Sequence, residues 1–300
     1  MLTRTMQFGS VSITQVKELE EWRFPARNLY PNLSDASFER AVTEWGPRLA
    51  DPATKELMLD INCFVVRTPE QVMLIDAGNG NDKHRPVTLP HHMFKTDFLD
   101  RLEAVGVSRE DVEVVVATHL HQDHCGWNTM LVDGEWLPTF PRAAHLFSKR
   151  ELRHVADYGR TAPDGTVERD FYRTFEDTIQ PVLLAGLART LSDGQTLFED
   201  GQTKVWIEEM SGHTPGHLMV HVQSGTDRAV ISGDAIHHPL QFADLGLAQV
   251  GDVDPDRAAD VRRGLVETCY EHNALLLTAH FPGPGRVVKH TDSRWGFAWL

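Results

Sequence analysis

Short apolar runs that stop abruptly at polar residues are the dominant pattern of this chain. Val72 to Ile75, Val112 to Ala117, Lys204 to Met210, Arg228 to Ile231 and Ala274 to Leu277 are each a few residues long. Their length and β-branched content predict buried strands rather than helices. Asn62 to Arg67 and Gln71 to Ile75 read as a hairpin, turned through Thr68-Pro69-Glu70. Helical spacing appears elsewhere. Thr96 to Val105 places Phe98, Leu99, Leu102 and Val105 on one face, with Thr96 as the expected cap and Gly106 as the stop. Ser148 to Asp157 and Arg169 to Ile179 are two further helices, flanking the turn-rich stretch Gly159 to Gly165. Pro255 to His272 is the longest helical segment, with Val261, Leu265, Val266 and Cys269 on one face and Asp254 as N-cap.

The polar ends of the apolar runs carry the chemistry. Behind Val112 to Ala117 comes Thr118-His119-Leu120-His121-Gln122-Asp123-His124-Cys125-Gly126. A strand that ends in His-x-His-x-Asp-His delivers three imidazoles and a carboxylate into one loop. Neutral imidazole and carboxylate are the nitrogen and oxygen ligands favoured by Zn²⁺. The same punctuation recurs in Gly212-His213-Thr214-Pro215-Gly216-His217, in Ser232-Gly233-Asp234 and in Thr278-Ala279-His280-Phe281-Pro282, and upstream in Asp76-Ala77-Gly78. Five strand ends presenting metal-compatible groups point to one convergent site.

In these motifs and their order the chain resembles the metallo-β-lactamase-fold hydrolases, over roughly Asn62 to Val288. The resemblance implies an αββα sandwich, an α/β fold of two mixed sheets packed face to face with helices outside, as a single domain spanning 1–300. It implies two metal ions. His119, His121 and His213 would hold one, Asp123, His124 and His280 the other, and Asp234 would bridge them. Asp76 matches the family's aspartate that supports the metal loop without ligating. Asp123 argues against a one-metal arrangement, because it belongs to the second ion. Zinc suits this donor set, and Mn²⁺, Co²⁺ or Fe²⁺ would be accepted by the same ligands.

The expected chemistry is hydrolysis by a metal-bridging hydroxide, acidified by the two ions. It attacks a carbonyl or phosphoryl centre, and Asp123 or Asp234 carries a proton to the leaving group. His237, three residues after Asp234, stands where the N-acyl-homoserine lactonases commonly have a tyrosine that binds the developing oxyanion. The run Gly233-Asp234-Ala235-Ile236-His237-His238-Pro239-Leu240-Gln241-Phe242, with His280-Phe281-Pro282-Gly283, looks more like the methyl parathion hydrolase branch. Two roles for His237 stay open: an oxyanion donor, or a hydrogen bond to a metal ligand. His217 and His238 read as structural. The resulting expectation is a dinuclear hydrolase of small apolar esters or lactones, with phosphotriesters as further substrates. Weaker alternatives are a thioesterase of the glyoxalase II kind, for which only Arg286 and Lys289 supply basic residues near the C-terminus, a β-lactamase, a di-iron redox protein and a non-catalytic binding module.

Composition sets outer limits on this reading. A formal charge of −14 over 300 residues disfavours nucleic acid or an anionic membrane as partner, leaving a small-molecule substrate. The three cysteines, Cys63, Cys125 and Cys269, are odd in number and widely spaced, which fits a reducing, cytoplasmic setting without disulfides. Cys125 is expected to pack under the metal loop rather than to ligate. Met1 to Ser10 has the polar residues Arg4 and Gln7 and no apolar core, so no signal peptide is expected. Two aromatic segments remain. Glu20 to Pro52, with Trp22, Phe24, Tyr30, Phe38 and Trp45, reads as a loop-rich arm that packs on the fold, covers the site as a lid or docks a second copy in a homodimer. Gly126 to Pro141, with Trp127, Trp136 and Phe140, is expected to wall the substrate pocket.

Overall fold

A computed structural model describes residues 4–291 and 293–300. They fall into two compact units, one within residues Met1–Glu18 and Asn62–Gln195, the other within Leu19–Ile61 and Thr196–Leu300. The first sheet has the order β1-β2-β4-β5-β6-β9-β10, with β3 on β4. Its strands are β1 (Thr5–Phe8), β2 (Val11–Pro25), β3 (Ala50–Asp51), β4 (Glu56–Arg67), β5 (Val72–Ile75), β6 (Val114–Val116), β9 (Ala144–Ser148) and β10 (Ala188–Leu191). β7 (Thr129–Val132) and β8 (Glu135–Pro138) form a separate hairpin. β4 and β5 pair antiparallel with Phe64 opposite Ile75, the hairpin expected from the sequence, and Thr68 N–H closes its turn on Gln71 O. β5, β6, β9 and β10 then run parallel. Residues buried on both faces, such as Leu74 and Val115, explain why these segments read as continuous apolar runs.

The second sheet runs β11-β12-β13-β14-β15-β16-β17. Its members are β11 (Thr196–Glu199), β12 (Thr203–Glu209), β13 (Leu218–Ser224), β14 (Asp227–Ile231), β15 (Leu275–Leu277), β16 (Gly285–Lys289) and β17 (Trp295–Trp299). Only the β14–β15 pair is parallel, so both large sheets are mixed, as expected. The crossover between β14 and β15 is the helix Pro255–Glu271, capped by the Asp254 carboxylate on Arg257 N–H, with Val261, Leu265, Val266 and Cys269 buried. No helix of the described residues is long and apolar enough to cross a membrane.

Several sequence expectations shift. The helix at residues 98–104 starts after Asp97 and is not capped by Thr96. The Thr96 hydroxyl is engaged instead by the buried Glu18 carboxylate and by Asn81. The expected helix Arg169 to Ile179 is an α-helix over Val167–Thr174 that widens into a π turn over Phe175–Ile179. The arm Glu20 to Pro52 is less loop-rich than its prolines suggest. It holds the end of β2 and helices at Ala26–Leu29 and Asp35–Trp45. Tyr30 and Phe38 lie in a buried cluster with Leu57 and Leu240. Trp127 and Phe140 are core residues of the first unit rather than a pocket wall. Their size suits them to filling the space beneath the metal loop, and Trp127 Nε1–H finds its acceptor in Glu18 at 2.6 Å.

Candidate metal centre

In the first unit the donors sit in one short loop after β6. The backbone turns helical over Gln122–Cys125, with His121 at the N-cap. The rings of His119 and His121 lie 4.6 Å apart between centroids, and those of His119 and His124 lie 4.0 Å apart. Asp123 Oδ2 is 3.7 Å from His124 Nε2. Asp76, just past β5, braces this loop from beneath. Its Oδ1 accepts from Thr118 N–H at 2.7 Å, and its Oδ2 accepts from the Thr118 hydroxyl at 2.9 Å and meets His124 Nδ1 at 2.9 Å. Asp76 takes φ +57°, a left-handed conformation that Asp tolerates better than most residues. Its supporting role is the one expected from the sequence.

The glycines around Asp76 are set by close backbone approach. A Cβ on Gly126 would stand 1.7 Å from Asn79 O, and one on Gly80 would meet Gly126 C at 2.6 Å. Gly126 N–H and Trp127 N–H donate to Gly78 O and Ala77 O, both at 2.7 Å, so the two loops are stitched main chain to main chain. Buried Glu18 completes the turn by accepting from Asn79 N–H, Gly80 N–H and the Trp127 indole. Burial raises its pKa, and these donors pull it back. Cys125 is buried among apolar residues with its pKa well above the ordinary thiol value, because burial disfavours the thiolate. Packing, not ligation, is its observed place.

In the second unit the donors come from three separate strand ends. His213 follows β12, Asp234 follows β14 and His280 follows β15. The Asp234 carboxylate faces three imidazoles: His213 Nε2 at 3.4 Å, His237 Nε2 at 2.9 Å and His280 Nε2 at 3.1 Å. The ligand atoms of Asp234, His237 and His280 all lie within 4.8 Å of one another. His217, read as structural, accepts the Asp234 N–H on its Nε2 at 3.0 Å and so fixes the turn that carries the aspartate. His238 is structural as well. Its Nε2 meets Leu49 O, its Nδ1 accepts from Leu240 N–H, and burial lowers its pKa to about 4.

The far side of each imidazole tests whether a cation fits. His124 Nδ1 is held by Asp76, His213 Nδ1 by Asp252 Oδ1 at 2.9 Å, and His280 Nδ1 by the Asp60 carbonyl at 2.8 Å. An acceptor at Nδ1 keeps the proton there and leaves the lone pair on Nε2, the arrangement found around metal-bound histidines. For His213 and His280 that lone pair then points at the Asp234 carboxylate, which also offers only lone pairs. Two acceptors at 3.1–3.4 Å repel unless a cation or a proton lies with them. The donor set therefore fits divalent metal.

His237 differs. Its Nδ1 makes no hydrogen bond, and its Nε2 stands close to Asp234 Oδ2 while lying off the hydrogen-bond direction. Its ring stacks on His280 at 5.5 Å and 14°. Burial lowers its pKa, with the Asp234 carboxylate acting in the opposite direction. The structure thus brings His237 against Asp234, as its spacing from that aspartate suggests. Asp252 was invisible in the sequence. It lies in a loop with no strand or motif to mark it, and buried Arg262 stands 3.6 Å from its Oδ2 while donating to Ala235 O and Leu247 O.

Residues 58–268 match the Metallo-beta-lactamase superfamily. N-acyl homoserine lactonase AttM of Rhizobium radiobacter is 25% identical over 187 residues, 61% of this chain and 64% of the lactonase, so the chain spans a little under two thirds of that relative. Acyl-coenzyme A thioesterase MBLAC2 of Homo sapiens is 26% identical over 214 residues, 69% of this chain and 70% of the thioesterase. Among solved structures, the hydrolase AbOPH of the beta-lactamase superfamily aligns with a TM-score of 0.79 at 23% identity, covering 99% of this chain and 97% of that one. The dizinc quorum-quenching lactonase AidC aligns with a TM-score of 0.78 at 19% identity, covering 99% and 96%. At such identities these two establish the fold. With the family match extending over more than half of its length, the chain belongs to the metallo-beta-lactamase superfamily.

Proposed function

We propose that this chain is a divalent-metal hydrolase of small, apolar esters or lactones. Its metal ligands are His119, His121, Asp123, His124, His213, Asp234 and His280. The carrying observation is the fixed tautomer of His124, His213 and His280, whose Nδ1 atoms are held by Asp76, Asp252 and the Asp60 carbonyl. When bound, two such cations, zinc or a similar ion, supply an acidified water and polarise the oxygen under attack. Asp123 and Asp234 move the proton toward the leaving group. His237, seated on Asp234, orients that carboxylate and donates toward oxyanion charge as it develops. Support for a lactone or ester comes from the likeness to AttM, an N-acyl homoserine lactonase, and to AidC, a quorum-quenching lactonase bound to an N-acyl homoserine product. The likeness to MBLAC2 favours thioesters as the second reading. Phosphotriesters are a further class, suggested by the Gly-Asp-x-x-His-x-x-x-Gln-Phe run.

The test is metal content of the purified protein beside hydrolysis of a panel. The panel holds p-nitrophenyl acetate, γ- and δ-lactones of several chain lengths, an acyl-CoA thioester and methyl paraoxon. Two metals per chain and lactone or ester turnover that a chelator removes are the expected result. Fastest turnover of the thioester would replace the substrate class, and absence of both metal and turnover would overturn the reading.

A further inference from the structure

A buried polar network meets the metal loop at Gln122, and its other members lie outside the ligand motifs. Arg85, 1% exposed, makes a two-pronged ion pair with Asp177, with Nη1 to Oδ2 at 2.8 Å and Nη2 to Oδ1 at 2.7 Å. Its Nε–H donates to Gln122 Oε1 at 2.9 Å. The Thr174 hydroxyl donates to the same oxygen at 2.9 Å, and Gln122 Nε2 donates to Asn79 O at 2.6 Å. The Gln122 amide is thereby held from three directions. Gln122 sits between His121 and Asp123, so fixing its side chain fixes the helical turn that aims both. Asp177 is presented by the π turn Phe175–Ile179, a rare local geometry that recurs at functional sites.

Lys83 closes the far end. It is fully buried, donates to the Thr129 hydroxyl at 2.6 Å and to Asp177 O at 3.1 Å, and lies 3.6 Å below the Trp136 ring. The buried Arg85–Asp177 ion pair is costly to desolvate, and burial lowers the Lys83 pKa to about 7. An apolar filling would serve stability as well or better, so the network's value has to lie in the geometry it imposes.

We propose that Arg85, Asp177 and Gln122 are positioning residues that set the direction of His121 and Asp123 and thereby raise the chain's affinity for its metal. The inference rests on the metal-binding reading above. The test is the zinc dissociation constant of metal-free protein, measured by competition with a chromophoric chelator well below the melting temperature. Gln122→Met, close in volume but unable to accept from Arg85, is expected to bind zinc about 10–100-fold more weakly, the usual cost of losing a partner that orients a ligand. Asp177→Asn serves the same purpose should Gln122→Met fail to fold. Thr129→Val loosens only the far end and is expected to lower the melting temperature of the metal-free protein with zinc affinity nearly unchanged. Unchanged zinc affinity in Gln122→Met and Asp177→Asn, or losses that simply track melting temperature across all three variants, would overturn the proposal. A parent protein that binds no zinc would instead overturn the metal reading itself.

Discussion

The two units supply metal donors in opposite ways. In the first, four donors are packed into His119 to His124, and shared braces tie the loop down, with Asp76 holding Thr118 and His124, Glu151 holding Leu120 N–H and Arg85 holding Gln122. In the second, His213, Asp234 and His280 stand on three different strand ends, each with its own support: Asp252, the imidazole of His217 and the carbonyl of Asp60. In a contiguous loop each brace serves all the donors, because its members move together. Dispersed donors need one brace each, because nothing local couples them. The first arrangement shares its braces among the donors, and the second gives each donor its own.

Substitutions can break this contrast. The largest effect is expected for His119→Ala, which should abolish turnover and lower bound metal, read by elemental analysis of the purified variant. Asp76→Ala comes next. It strips the acceptor from Thr118 N–H and hydroxyl as well as from His124, and each buried donor left unsatisfied costs about 1–3 kcal/mol. Both the melting temperature and the zinc affinity should fall, and a variant that kept both would refute the shared-brace account. Asp252→Asn should be milder at the metal centre, because among the donors only His213 rests on it, while buried Arg262 loses the charge beside it. A loss of about 10–100-fold in zinc affinity is expected with the first unit's donors unaffected. Equal damage from Asp76→Ala and Asp252→Asn would erase the distinction between the two arrangements.

His237→Ala sharpens the comparison from another side. Metal content should stay at the parent level while turnover falls by about 100–1,000-fold, the usual cost of removing an oxyanion donor, since the His237 ring touches a ligand and makes no hydrogen bond of its own. Loss of metal would place it among the ligands, and an unchanged rate would remove it from the chemistry.

The last expected effect is on stability and leaves the metal centre untouched. His145 on β9 is fully buried, and burial lowers its pKa from 6.5 to about 4. The unfolded chain takes up this proton below about pH 6.5 and the folded one only near 4, so stability is complete above that range and falls as the solution is acidified. The loss amounts to about 3 kcal/mol by pH 4. Urea titrations between pH 4.5 and 7.5 should show this slope, and His145→Gln should flatten it. A parent slope that survives the substitution would assign the effect to another group.

How much of this was legible in advance depends on distance along the chain. The strands carrying the donors were readable because apolar runs and their polar ends are local features, and the hairpin over residues 62–75 and the helix Pro255–Glu271 came out nearly as expected. The Thr96 cap failed for a tertiary reason, since Glu18, 78 residues away, takes its hydroxyl. Trp127 and Phe140 were expected at a pocket wall, but proximity in sequence to the donors says nothing about which side of the loop a ring falls on.

By itself, the sequence determined the strand ends, the identity of the donors and their order, because a motif and the strand before it are specified by neighbouring residues. The tertiary structure alone decided which groups hold those donors in place. Asp252 faces His213 from 39 residues away, Asp60 meets His280 across 220, and Arg85 reaches Asp177 across 92. Such partners need only one acceptor or donor at the right point in space, and many residue types and positions offer one. Their selection is made by the packing of the chain, which no local pattern records.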